Sequence, residues 1–363
     1  MLWMAHTEIA SRINECGCRP VLRMPDPDRL WNAMGILMRK MVLAVVALTM
    51  AGSAYAADMP LKAVQAPSPA PFDPWDVAFG SAMMNDYVFR GITQSNHKPS
   101  VAAYFEPRYN VSKDLQLYIG TSAESISFAN RAAAEVDIYG GVRPTFGAFA
   151  FDFGLWGYLY PGGQCQEGFP GGVAVCPPGS PLALGPDFTQ MKKDVSFFEG
   201  YGKVSWTIND NFAVGANEYY SPNFLNSGAW GDYASITAKS TAPAAWFGKS
   251  GVGAYLSGEF GRQWIGTTDA FYRVTAAPIG IHYPSYNTWN IGVGFTYKVF
   301  TLDLRYSDTN MRKGDCASLT SAFNANIPGN VTAINPNGFG SNWCSAVGIV
   351  KLSADLTAMT NLK

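Results

Sequence analysis

The sequence predicts an all-β protein, a transmembrane antiparallel β-barrel of about 12 strands with short periplasmic turns and long external loops. Apolar and polar residues alternate with a period of two along most of the chain, the mark of strands with two unlike faces. Only 15% of the 363 residues are charged, and 48% are hydrophobic, against roughly 25% charged in an ordinary soluble domain. Mean hydropathy is -0.00, so the apolar residues are dispersed, as they are when every second residue faces lipid.

The first segments read as an address. Arg39 and Lys40 precede an apolar run from Met41 to Ala51, and GSAYA follows with Ala54 and Ala56, the three parts of a secretory signal. The run is too short for a membrane of about 30 Å, which disfavours an anchor. Residues 38–56 are therefore expected to be a signal peptide cleaved after Ala56, and residues 1–37 an upstream extension from a misassigned start, Met38 being the alternative initiator. Residues 57–74 form a Pro-rich periplasmic leader, 75–357 the barrel, and 358–363 a tail.

Twelve strands are expected near 75–90, 100–110, 115–127, 134–143, 148–160, 195–206, 212–220, 231–240, 250–265, 286–298, 300–308 and 345–357. In TWNIGVGFTYK, Trp289, Ile291, Val293, Phe295 and Tyr297 share one face, with small residues behind that would leave room in a lumen. Aromatic ends on an apolar band suit the two girdles of a membrane barrel. VSKD, the region around Pro144, INDN and Val299 read as short turns; STAPAAWFG, around Pro243, is longer than the rule prefers, and the strand near Ala234 is the weakest. The segments after Tyr160, Tyr220, Ile265 and Ser307 are the long connections. An even strand count brings both ends to the periplasm.

Charge placement defines the candidate lumen. Alternation puts Asp86, Glu106, Glu124, Glu135, Asp137, Asp152, Glu199, Glu259, Asp303 and Asp355 inward, with Arg90, Arg108, Arg143, Lys203, Lys298, Arg305 and Lys351. On the lipid face each would cost roughly 2–4 kcal/mol at the midplane. Two readings remain open: a salt-bridged filling of the interior, or a polar path for small hydrophilic solutes with mild cation preference from the acidic excess. Twelve strands lie between the eight that side chains fill and the sixteen that leave a channel, so a narrow or gated pore is expected.

Four cysteines, Cys165, Cys176, Cys316 and Cys344, lie in the exported part, where disulfides persist. Pairing Cys165 with Cys176 and Cys316 with Cys344 keeps each bond within one interstrand segment. A metal site is the competing reading, but no CxxC spacing or neighbouring histidine supports it. The net charge of -1 gives no basic footprint for nucleic acid. His97 and His282, both in expected loops, are the histidines of the mature part, and no GxSxG, Walker loop or complete GxGxxG occurs, so neither an enzyme nor a cofactor is expected. Lys192 and Lys193 read as loop charges, or as contacts for lipopolysaccharide phosphates. The expected surroundings are outer-membrane lipid and lipopolysaccharide.

The stretch Asn85–Pro99 reads as the end of the first strand, a polar loop and the start of the next. Tyr87 and Phe89 would then be outer girdle residues, and Asp86 and Arg90 neighbours on the lumen wall near the external mouth. Arg90 either forms a register-setting salt bridge or contacts solute.

Asp86, Tyr87, Phe89, Arg90 and Gly91, then Gln94, Ser95, Lys98 and Pro99, lead an ordered series: YIGTSAESISF, EVDIYGGVR, GYLYPG, FFEGYGKVSW and TWNIGVGFTYKVFTLDLRYSDTN. The series resembles the Gcw_chp domain of the TorF porin family over roughly residues 77–310. The resemblance implies an outer-membrane barrel with a channel function. One departure stands out: the chain ends in AMTNLK rather than an aromatic residue. Either the closing strand stops near Thr357 or the assembly signal differs. A closed-lumen recognition or structural barrel, and a soluble two-sheet sandwich, are the alternatives.

Overall fold

A computed structural model describes residues 74–166, 176–177, 190–273, 279–336 and 338–362. The expected upstream extension, the signal peptide, and all of the leader before Pro74 lie outside the described residues, as does much of the 161–194 connection.

Twelve strands close into an antiparallel barrel: β1 (Trp75–Met84), β4 (Ser100–Ser112), β5 (Leu115–Glu124), β6 (Glu135–Phe146), β7 (Phe149–Leu159), β8 (Phe197–Asn209), β9 (Phe212–Ser221), β10 (Gly231–Thr241), β11 (Val252–Ile265), β12 (Tyr286–Tyr297), β13 (Phe300–Thr309) and β14 (Val347–Thr357). Two short strands, β2 (Val88–Phe89) and β3 (Ile92–Thr93), form a separate hairpin. Closure is made by β1 against β14, from Ala78 opposite Thr357 to Met84 opposite Lys351. The ring leaves no unpaired sheet edge, which a bilayer demands.

Period-two patterning sorts the strand faces. Ile119, Ile138, Leu155, Leu256, Ile291 and Val350 are among many large apolar side chains exposed on the outside. In water such a surface would far exceed the few hundred Å² of apolar patch usual on a soluble protein. Trp75, Tyr109, Phe149, Trp206, Tyr297 and Phe300 are likewise exposed near the strand ends at the turn side, an aromatic girdle. The outside is therefore a lipid-facing band, and the fold is a transmembrane barrel rather than a sandwich.

Connections alternate in length. Lys113–Asp114, Gly147–Ala148, Asp210–Asn211 and Lys298–Val299 are two-residue turns, and residues 242–251 make the longer fifth. Both barrel termini lie at this turn end. Two turn-side expectations change. Pro144 is not in the turn: β6 runs through it, opposite Leu115, and turns at Gly147, whose φ of +59° suits a tight reversal. No ladder partner on β7 is assigned to Pro144, consistent with its missing N–H. Lys298 is not lumen-lining but an exposed turn residue with φ +53°. The strand at Ala234 is present as β10, paired along its length with β9 and β11.

At the other end the long connections pack over the mouth. Ile92, Phe128, Tyr160, Phe224, Tyr283 and Trp343 belong to one buried apolar cluster. Cys165–Cys176 and Cys316–Cys344 are both disulfide-bonded, the second joining the helix Lys313–Thr320 to the segment that precedes the closing strand. The closing strand ends at Thr357 and a single helical turn, Ala358–Asn361, follows.

Candidate functional site

Part of the interior is occupied, in two ways. The first is local to the wall. Inward glycines stand beside inward tyrosines on neighbouring strands, Gly120 opposite Tyr139, Gly154 opposite Tyr201 and Gly294 opposite Tyr255. A Cβ on any of them would collide with the facing ring. The small residues thus give room to aromatic rings rather than to a lumen.

The second is the Asn85–Pro99 segment. β1 stops at Met84, short of the expected end at residue 90, because Asn85 turns its side chain onto β14: Nδ2 donates to the Gly348 carbonyl at 2.9 Å and Oδ1 accepts from Val350 N–H at 2.6 Å. The chain then folds inward. Val88–Phe89 pairs with Ile92–Thr93 through the two-residue turn Arg90–Gly91, whose φ values of +48° and +80° are those of a type I′ hairpin. At Gly91 a side chain would run into Thr288 and Thr309 on the wall.

Tyr87 and Phe89 are therefore not girdle residues. Tyr87 donates its hydroxyl to Glu135 at 2.6 Å, and the Phe89 ring meets Tyr158 edge-on with centroids 5.7 Å apart. Alternation cannot reveal a strand that ends early and re-enters the lumen. Nor does Asp86 line the wall: it is 1% exposed and accepts from Thr93 and Ser95 hydroxyls and from the His97 ring at 2.7 Å. That bond raises the His97 pKa above its ordinary value against the opposing effect of burial. Ser95 bonds Asp86, and the second ring nitrogen of His97 faces the Asn342 carbonyl at 3.2 Å. These three residues do not make the hydroxyl-on-imidazole contact that a nucleophilic relay needs.

Arg90, at the hairpin tip, reaches the far wall. Its guanidinium meets both oxygens of Glu199 on β8, at 2.9 and 2.6 Å, and Gln263 on β11 at 2.9 Å. It also lies 5.0 Å from the Tyr219 ring and 4.5 Å from the Tyr233 ring. Tyr286 on β12 donates to the Arg90 carbonyl at 3.3 Å. A bidentate, aromatic-flanked guanidinium is the strong form of such a pair. The contributions of Tyr158, Tyr219, Tyr233, Tyr286 and Gln263 were hidden from sequence reasoning that weighed only charges. Their inward parity was the available signal.

Below the hairpin, toward the turns, the wall charges pair with each other. Glu106 accepts from Arg108 at 2.6 Å and Arg143 at 2.8 Å; Arg143 also reaches Asp152 at 3.3 Å and stacks 3.6 Å from the Tyr118 ring. Across the lumen Arg305 is held by Asp303 at 3.0 Å and Asn290, and Tyr233 donates to Glu259 at 2.9 Å. Lys203 faces the Tyr201 ring at 4.6 Å. A cavity of about 470 Å³ opens at the turn end, lined by Arg143, Asp152, Lys203 and Asn217 among others. Glu124, Glu135 and Asp137 gather at the loop end of β5 and β6. Lys192 is engaged in the cap by Asp269 and the Asn226 carbonyl, while Lys193 is exposed.

Residues 68–170 match a family model described as a bacterial protein of unknown function, Gcw_chp. That is a shorter part of the chain than the resemblance noted above. No curated protein matches the sequence. Among solved structures, LpxR from Salmonella typhimurium is 10% identical, with 77% of this chain and 99% of that one covered and a TM-score of 0.35. A loop L8 deletion mutant of OmpT, an outer membrane protein of Vibrio cholerae, is 10% identical over 78% of this chain and 100% of that one, at 0.33. Salmonella typhi OmpF in complex with daunomycin is 7% identical over 78% and 97%, at 0.30. Likeness of this degree carries no argument about function, and the barrel stands on its own strand pairing. By its fold the chain is a closed twelve-stranded transmembrane β-barrel with a short hairpin folded into its interior.

Proposed function

We propose that this chain is an outer-membrane channel of the porin kind, closed at rest by its own first loop, which passes small hydrophilic solutes or ions when that loop withdraws. The observation that carries the reading is the Arg90 clamp, which holds the hairpin against the wall opposite its attachment. The polar cavity at the turn end forms the periplasmic vestibule, and its paired acids and bases line the path beyond the plug. The apolar band sits in lipid and the exposed loop-end charges, Lys193 among them, meet lipopolysaccharide. No catalytic step is part of this reading.

A second reading has its own support: a permanently closed barrel that serves surface recognition or structure. The cap is cross-linked by Cys316–Cys344 and packed on a continuous apolar cluster, which stiffens the mouth. Single-channel recording separates the two. A channel closed by its plug begins to conduct when the clamp is neutralised, and a structural barrel stays silent.

A further inference from the structure

The loop end of the lumen holds three acids that Arg90 does not pair with. Antiparallel register sets Glu124, the last residue of β5, opposite Glu135, the first of β6, and Ser122 opposite Asp137. The three carboxylates consequently converge, with one oxygen from each lying within 4.8 Å of the others. Glu135 and Asp137 are 2% and 4% exposed. Among the described residues no lysine, arginine or histidine forms an ion pair with any of the three.

Neutral donors satisfy only part of the group. Tyr87 and Tyr160 hydroxyls donate to the two oxygens of Glu135 at 2.6 and 2.9 Å, and Ser122 donates to Asp137 Oδ2 at 3.0 Å. Glu124 Oε2 and Asp137 Oδ1 are buried and accept no hydrogen bond. The indole N–H of Trp156 faces Asp137 but is neutral and supplies no counter-charge. Carboxylate oxygens shut away from water without a donor are strongly disfavoured unless a proton or a cation meets them.

We propose that Glu124, Glu135 and Asp137 form a binding site for one hard divalent cation of the calcium class. Calcium takes carboxylate oxygens at about 2.3–2.6 Å, so two oxygens sharing an ion stand up to about 5 Å apart. The ion ties β5 to β6, and through Tyr87 and Tyr160 it fixes the hairpin and the cap to the wall. This site stands apart from the channel reading, since a structural barrel would use it equally.

The test uses the full chain, folded in detergent, with calcium and its luminescent substitute terbium as probes. Tyr87 and Tyr160 hydrogen-bond to Glu135, close enough to sensitise terbium emission when tyrosine is excited. The expected result is saturable emission, displaced by calcium and lost in a Glu124→Gln/Asp137→Asn variant that retains barrel circular dichroism. Emission that never saturates, or that is unchanged in the variant, overturns the proposal. Equilibrium dialysis of the unaltered protein against radioactive calcium decides the matter if the variant does not fold. One ion bound per chain supports the site, and none bound at millimolar calcium overturns it.

Discussion

Arg90 and Glu199 meet inside the barrel as a bidentate pair, with Nη1–Oε1 at 2.9 Å and Nη2–Oε2 at 2.6 Å, although their backbones belong to opposite sides of the lumen. Their side chains are 5% and 0% exposed. Removing one partner strands a buried charge, which typically costs about 3–5 kcal/mol, whereas removing both is far cheaper. Arg90→Ala should therefore lower the unfolding free energy by about that amount, and Arg90→Ala/Glu199→Leu should recover most of it. Urea titration in detergent, read as a double-mutant cycle, checks this. Strictly additive losses would show that the two residues do not act as a pair.

Gly91 carries the turn that aims the clamp. Its φ of +80° costs an L-residue about 1–2 kcal/mol. A side chain there also meets Thr288 and Thr309, and overpacking adds about 1–3 kcal/mol. Gly91→Ala should destabilise the folded barrel by about 2–5 kcal/mol on those two counts. A melting temperature equal to that of the unaltered protein would refute the turn assignment.

His97 gives the plug a pH dependence. Its folded pKa is raised by the hydrogen bond to Asp86, so the folded state holds the proton more tightly than the unfolded state. The stabilisation is thus fully present below the unfolded pKa of about 6.5 and is lost as pH rises through the higher folded value. The stability gap between the unaltered protein and His97→Gln should be wide at acidic pH and should narrow above neutrality. A gap that widens with pH would reverse the sign of the argument.

The Cys316–Cys344 bond spans 28 residues of cap. On the chain-entropy account a loop of that length contributes about 3.5 kcal/mol. Reduction should open the 316–344 segment to limited proteolysis while the barrel strands stay protected. Equal protease resistance with and without reductant would show that the cap is held by packing alone.

Much of the fold was legible because a membrane barrel writes its geometry at a period of two. From Ile119 on β5 to Val350 on β14 the outward residues had to be apolar, and the short turns and cysteine segments followed the strands. The interior was less legible. Val77, Phe79, Met83, Tyr87 and Phe89 share the odd positions with only Ser81 and Asn85 intruding, so the apolar face resumes past Asn85 and hides that this residue ends the strand by bonding to β14. Arg90–Gly91 was the local cue, a pair able to take positive φ, but a cue of that kind does not say that the hairpin turns inward. Lys298 shows the complementary error, since alternation carried one residue too far assigns a turn to the wall. The carboxylate group at Glu124, Glu135 and Asp137 was readable as three inward acids. That they converge depends on the β5–β6 register, which sequence alone does not set.

On the proposed reading the Asn85–Pro99 hairpin closes the lumen and Arg90 holds it there. Single-channel recording in planar bilayers tests it most directly, with folding of every variant confirmed beforehand. The unaltered protein should insert and remain mostly silent. Arg90→Gln/Glu199→Gln, which removes both charges of the clamp and shortens its reach, should give frequent current steps with cation preference. Steady open-channel current from the unaltered protein, or a clamp variant as silent as its parent, would contradict the account.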